Sequence, residues 1–172
     1  GMGYAESSNY TMQAGDVLLV DYGCRFENYV SDSGQTVALG SLSPALVERY
    51  AALYAGLQAG AAELRPGTPA SAVRAAMQTR LTEHGITTCF AHGHGFGLEP
   101  RDYPIIVEDT GLRLHDDCID LPADLALEAG MVINLETPLY LVGVASLHIE
   151  QTFLVTPAGG ELLVPLDRSA PL

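Results

Sequence analysis

The chain is 172 residues long, with 21 acidic against 8 basic residues, all 8 of them arginine, and a formal net charge of −13. At 48% hydrophobic and 17% charged residues it reads as one globular domain with a real core and not as a disordered segment. This acidity argues against nucleic acid and against an anionic membrane surface, and it suits cations. No apolar run approaches the ~18 residues of a membrane span, and Gly1-Met2-Gly3 opens no signal peptide, so a cytoplasmic location is expected. Gly1 reads as a tag remnant, and residues 1–172 as a single domain. Cys24, Cys89 and Cys118 form no C-x-x-C, which points to neither a disulfide framework nor a thiolate zinc site.

In chain order, residues 16–23 form a β-branched run ending in an acid and a glycine, followed by a polar turn over 25–28. Residues 29–32 and 36–40 follow, and the three runs read as antiparallel strands. Ser43-Pro44 is a good N-cap and first-turn pair for a helix to about Leu64, with Leu46, Val47, Tyr50, Leu53, Tyr54 and Leu57 at helical spacing. A second helix spans 69–84, with Val73, Met77 and Leu81 on one face and Gly85 closing it. A strand is predicted over 87–90, then a glycine-rich loop over 91–97. Residues 98–128 read as a surface excursion with a short strand at 105–107, and further strands are predicted at 131–135, 139–144, 147–149, 152–155 and 161–164. The order suggests an α+β fold, with helices on one face of a curved antiparallel sheet.

Asp21, Asp32, Glu136 and Glu150 sit at or near the ends of apolar strand segments, and no arginine lies within three residues of any of them. Buried and unpaired, each would cost several kcal/mol or take up a proton. Singly, each reads as a strand-end acid turned to water. Four together, with His94 between Gly93 and Gly95, point to a shared cation. Such an oxygen-rich set with one imidazole suits two divalent ions ~3.5–4 Å apart, with Mn, Co, Zn or Fe as candidates.

These residues resemble a known family. Asp21 and Asp32, then Gly-His94-Gly-Phe-Gly-Leu-Glu, then Gly-Met-Val-Ile-Asn-Leu-Glu136, then His-Ile-Glu150 are similar to the pita-bread metallopeptidases: methionine aminopeptidases, aminopeptidase P and prolidase, with creatinase as a metal-free relative. The resemblance runs from about Asn9 to the C-terminus, and Glu136-Thr137-Pro138 places the chain nearer the Xaa-Pro branch. It implies a pita-bread fold lacking its N-terminal part and two divalent ions held by Asp21, Asp32, His94, Glu136 and Glu150. The implied activity is hydrolysis of an N-terminal peptide bond by a water between the ions, with Glu136 as proton shuttle.

Departures from the pattern lie in the shell that orients substrate. Asn9, Phe90 and Arg101 stand where the resemblance implies histidines, and His148 stands where many members have arginine. Asn9 and His148 are therefore candidate substrate contacts. Arg101 is either a solvated loop residue or a fixed charge for an oxyanion or substrate carboxylate. His92 is either a hydrogen-bonded loop residue or a proton-transfer group. The rival to a peptidase is a pita-bread module that has lost turnover and acts in binding or regulation. A homodimer is expected, because the elements that cover the sheet in the two-half fold are absent from the sequence and would leave an apolar face and a strand edge open.

Overall fold

A computed structural model of the chain describes residues 9–116 and 118–172. Gly1, read above as a tag remnant, lies outside the described residues. Strands β1 (Val17–Tyr22) and β4 (Ser33–Ala38) form an antiparallel pair, with the small β2 (Arg25–Phe26) and β3 (Tyr29–Val30) hairpin at its tip. Helices α1 (Pro44–Ala62) and α2 (Ala70–Glu83) follow. Strands β5 (His92–Gly95), β6 (Asp102–Ile106), β9 (Val132–Glu136), β12 (Glu150–Thr156) and β13 (Gly159–Leu162) make the main antiparallel sheet, in the order β13-β12-β9-β5-β6. Two further hairpins, β7 (Arg113–Asp116) with β8 (Ile119–Pro122) and β10 (Leu139–Leu141) with β11 (Ala145–Leu147), complete the described elements.

Both helices form where caps and spacing place them. The Ser43 side chain accepts from the Leu46 amide and Pro44 occupies the first turn, while Gly85 at φ +73° follows the end of α2. Tyr50, Leu53 and Leu57 of α1 and Val73, Met77 and Leu81 of α2 are buried, so the helical faces read from the sequence are those that pack. They meet Ile133, Leu135, Phe153 and Val155 from one face of the sheet. Fully burying side chains of this kind stabilises by about 1.5–3 kcal/mol each.

The structure corrects the sequence reading between 87 and 97. Residues 87–90 are not a strand, and the expected glycine loop contains β5, hydrogen-bonded on both sides in the middle of the main sheet. Gly-His repeats carry little β-propensity, which is why they resemble a loop. Packing overrides that tendency here: a Cβ on Gly93 would strike the Asn134 carbonyl and the Leu135 side chain, so a glycine is what fits against β9. The run expected over 139–144 is likewise shorter, because Val142 and Val144 lie in the exposed turn between β10 and β11 with Gly143 at φ +74°. The excursion over 98–128 holds more strand than expected, namely β6 in the main sheet and the β7–β8 hairpin.

Gly93→Ala is expected to lower the free energy of unfolding by about 1–3 kcal/mol through overpacking. Gly97→Ala, which meets nothing within 4 Å, should stay within about 0.5 kcal/mol of the parent. Urea denaturation of the two variants measures both.

Candidate metal centre

Side chains alternate across a strand, so with Ile133 and Leu135 turned to the helices, Asn134 and Glu136 point to the opposite face. The register extends that face sideways: His92 lies opposite Glu136, His94 opposite Asn134, Glu150 opposite Glu136 and Thr152 opposite Asn134. Directly opposed residues share a face. Six polar side chains are thus collected on one side of the sheet, and all six are buried.

What buries them is the β1–β4 pair. Thr36 Oγ1 accepts from the His148 amide at 2.8 Å and donates to the His148 carbonyl at 2.9 Å, tying β4 to the segment ahead of β12. Asp21 on β1 is paired with Gly34, and Asp32 directly precedes β4. A Cβ on Gly34 would run into the Glu150 carboxylate and the His148 ring, so this glycine leaves the cluster its space.

Within the cluster, Glu136 Oε1 lies 3.2 Å from His92 Nε2, 3.3 Å from His94 Nε2 and 3.8 Å from Arg101 Nη2. His94 Nε2 is 3.5 Å from Asp32 Oδ2, and His148 Nε2 is 3.0 Å from Glu150 Oε2. The other Glu150 oxygen accepts a hydrogen bond from the Asn134 side chain. Asp21, His148 and Glu150 each offer one ligand atom within 4.8 Å of the others.

Hydrogen bonding fixes two of the imidazoles. His92 Nδ1 is 2.8 Å from the Phe90 carbonyl and His94 Nδ1 is 3.0 Å from the Gly95 carbonyl. A carbonyl only accepts, so both Nδ1 atoms carry a hydrogen and both Nε2 atoms face carboxylate oxygens. Either a proton or a metal ion must lie between Nε2 and those oxygens, and a ring anchored by its other nitrogen is how metal-binding histidines are oriented.

The electrostatics ask for the same positive charge. Burial, then the neighbouring Asp32, raises the Asp21 carboxyl above its ordinary range. Burial, then Glu136 and Asp32, raises Glu150 further. For Glu136, burial opposes ionisation, but hydrogen bonds from His92 and His94 outweigh it and hold the carboxyl below the usual range. Burial also opposes the His94 imidazolium, and its bonds to Glu136 and Gly95 overcome this and raise its pKa. Carboxylates that cling to protons, beside imidazoles aimed at them, fit divalent cations as a donor set.

Asp21, Asp32, His92, His94, Arg101, Glu136, His148 and Glu150 are therefore brought together. Arg101 reaches in from an exposed position before β6, its side chain 62% exposed. His148 is enclosed at 3% exposure, beneath the carboxylates. Asn9 is exposed ahead of β1, and no contact with the cluster is recorded for it among the described residues. Phe90, exposed, packs on His92 with ring centroids 4.7 Å apart.

Three contributors escape the sequence reading. Asn134 had a signal, since it is two residues before Glu136 on the same strand. Thr36 clamps a backbone and has none. Arg168, 4% exposed and donating to Ser33 Oγ at 3.3 Å, arrives with a C-terminal tail that pairs Leu172 with Thr36 and Ala38, which no local pattern announces.

The fold and this cluster define a metallopeptidase-type domain, and comparison with known proteins agrees. The profile of metallopeptidase family M24 matches residues 2–157. The Xaa-Pro dipeptidase of Lactobacillus helveticus is 31% identical over 160 residues, covering 92% of this chain and 40% of the relative. Among solved structures, dipeptidase PepE from Mycobacterium ulcerans superposes with a TM-score of 0.82 at 31% identity, covering 95% of this chain and 42% of that one. Prolidase from Pyrococcus furiosus gives 0.81 at 26% identity, covering 96% and 46%. The chain belongs to metallopeptidase family M24 and has its pita-bread fold, spanning about two fifths of the length of these relatives. Membership implies use of a divalent metal. No helix among the described residues is long and apolar enough to cross a membrane.

A pH prediction follows for the metal-free chain. Glu150 is raised from 4.5 and His94 from 6.5, so above pH 6.5 the folded state holds protons that the unfolded state has released. Stability must then fall as pH rises. The depressed Glu136 and His148 act below their ordinary values of 4.5 and 6.5 and do not reverse this. The urea midpoint should decline from pH 6.5 towards 9, less steeply in Glu150→Gln. Manganese or cobalt at 100 times its Kd should add about 2.7 kcal/mol at fixed pH.

Proposed function

We propose that this chain carries the dinuclear metal centre of a peptidase similar to Xaa-Pro dipeptidases and aminopeptidases, hydrolysing the N-terminal bond of a peptide substrate. The observation supporting this best is the convergence of Asp21, Asp32, His94, Glu136 and Glu150 from five separate chain segments onto one polar face. These five are the proposed ligands of two divalent ions, with manganese, cobalt, zinc and iron as candidates.

Bound ions of this kind acidify a water and polarise the scissile carbonyl. The chain's own residues do the rest. Glu136 would accept the proton of the attacking water and hand it to the leaving amine, its Oε1 lying 3.2 Å from His92 Nε2. His92, anchored by the Phe90 carbonyl with Nε2 on Glu136, stands one hydrogen bond away and receives or returns that proton. Arg101 holds a fixed positive charge at the open side of Glu136, suited to a tetrahedral oxyanion or a substrate carboxylate. Asn9, exposed ahead of β1, is the remaining proposed substrate contact.

A second reading, a module that binds without turnover, draws on Asn9, Phe90 and Arg101 standing where the resemblance implies histidines. The two separate in one experiment. With manganese or cobalt restored, an Xaa-Pro dipeptide should be hydrolysed, and Glu136→Gln should lower the rate by at least about 10²-fold. Metal bound without hydrolysis by the parent chain would favour the binding module; no metal bound would end the peptidase reading. We further infer a cytoplasmic location, as expected from the sequence, and a homodimer, supported by Leu18, Tyr22, Phe26 and Tyr29, which are exposed on the β1–β4 and β2–β3 pairs. Light scattering on a size-exclusion column should give twice the chain mass at micromolar concentration, and one chain mass would refute the dimer.

A further inference from the structure

His148 is the imidazole of the cluster that the proposed mechanism leaves without a task. Its side chain is enclosed, so substrate cannot reach it without rearrangement of β4. Nε2 faces Glu150 Oε2 at 3.0 Å, while Nδ1, fully buried, has no hydrogen-bond partner among the described residues. One ligand atom each from Asp21, His148 and Glu150 lies within 4.8 Å of the others, close enough to share one ion. The main chain of His148 is held on both sides by Thr36 Oγ1, and Gly34 leaves the ring room beside Glu150. The imidazole is thus preset, and its position is not an accident of a loose side chain.

We propose that His148 is a further protein ligand of the metal centre, giving the ion held by Asp21 and Glu150 a nitrogen donor. This rests on the metal-centre reading above. In that arrangement Nε2 gives its lone pair to the ion, which takes the place of the hydrogen otherwise required between Nε2 and the Glu150 carboxylate. The centre then has an imidazole on each side, His94 by Glu136 and His148 by Glu150. A nitrogen donor favours zinc and cobalt over manganese more than an all-oxygen site does.

The test compares the parent chain with His148→Gln, each loaded with two equivalents of cobalt, by X-ray absorption spectroscopy and by zinc–manganese competition. The variant should lose about one imidazole per chain from the cobalt shell. Its zinc affinity should fall at least about tenfold while manganese affinity changes less. An unchanged imidazole count at full cobalt occupancy would overturn the proposal and leave the metal centre standing. Failure of the parent to bind cobalt would overturn both. Should His148→Gln not fold, long-range proton–nitrogen NMR of the zinc-loaded parent decides: His148 Nε2 in the metal-bound range supports the assignment, and Nε2 in the protonated range overturns it.

Discussion

Glu136 and Glu150 are buried side by side on one face of the sheet, with Asp32 half-buried and Asp21 exposed at the rim, and where water is scarce their mutual repulsion is poorly screened. Burial and then like-charged neighbours push Asp21 and Glu150 towards the protonated form, while hydrogen bonds from His92 and His94 push Glu136 towards ionisation, so the cluster has no comfortable state built from its own charges. Replacing such a group by well-packed apolar residues is often neutral or stabilising. Retaining it makes physical sense where cations complete it, and the surrounding fold can be understood as the means of holding it together.

That means is a sheet with two unlike faces. The same strands that send Ile133, Leu135, Phe153 and Val155 into the helices send Asn134, Glu136, Glu150 and Thr152 the other way. A one-residue slip of β9 against β12 would exchange the two sets and bury carboxylates under α1, so the core specifies the register of the site. Gln58 on α1 bonds Gln151 at 3.1 Å, one residue along from Glu150 and on the opposite face. Packing on the helix side therefore governs the distances between the carboxylates and imidazoles on the opposite side.

Much of this was legible in the sequence, for identifiable reasons. Helical spacing, Ser43-Pro44 and Gly85 placed both helices within a residue or two. The four strand-end acids and His94 converge as their apolar contexts suggested. The miss at β5 came from judging His92-Gly93-His94-Gly95 by local propensity, although its alternation is that of a strand with histidines on one face. Asn134 obeys the same period and was overlooked because an amide is unremarkable beside carboxylates. Thr36 and Arg168 act through contacts more than a hundred residues away in sequence, and no local pattern encodes such a contact.

The cluster is also graded from outside to inside. Asp21 and Arg101 are exposed, Asp32 is half-buried, and Glu150 and His148 are closed in. A cation approaching a chain of net charge −13 meets a favourable field before it meets any ligand. Asp21 is the first carboxylate it would meet, ahead of the buried Glu150 and His148, which are held by Asn134 and by the clamped backbone at His148. Arg101, the single arginine recorded against the cluster's Glu136, sits on the entrance side, where it can meet an anionic group without displacing a cation from the base.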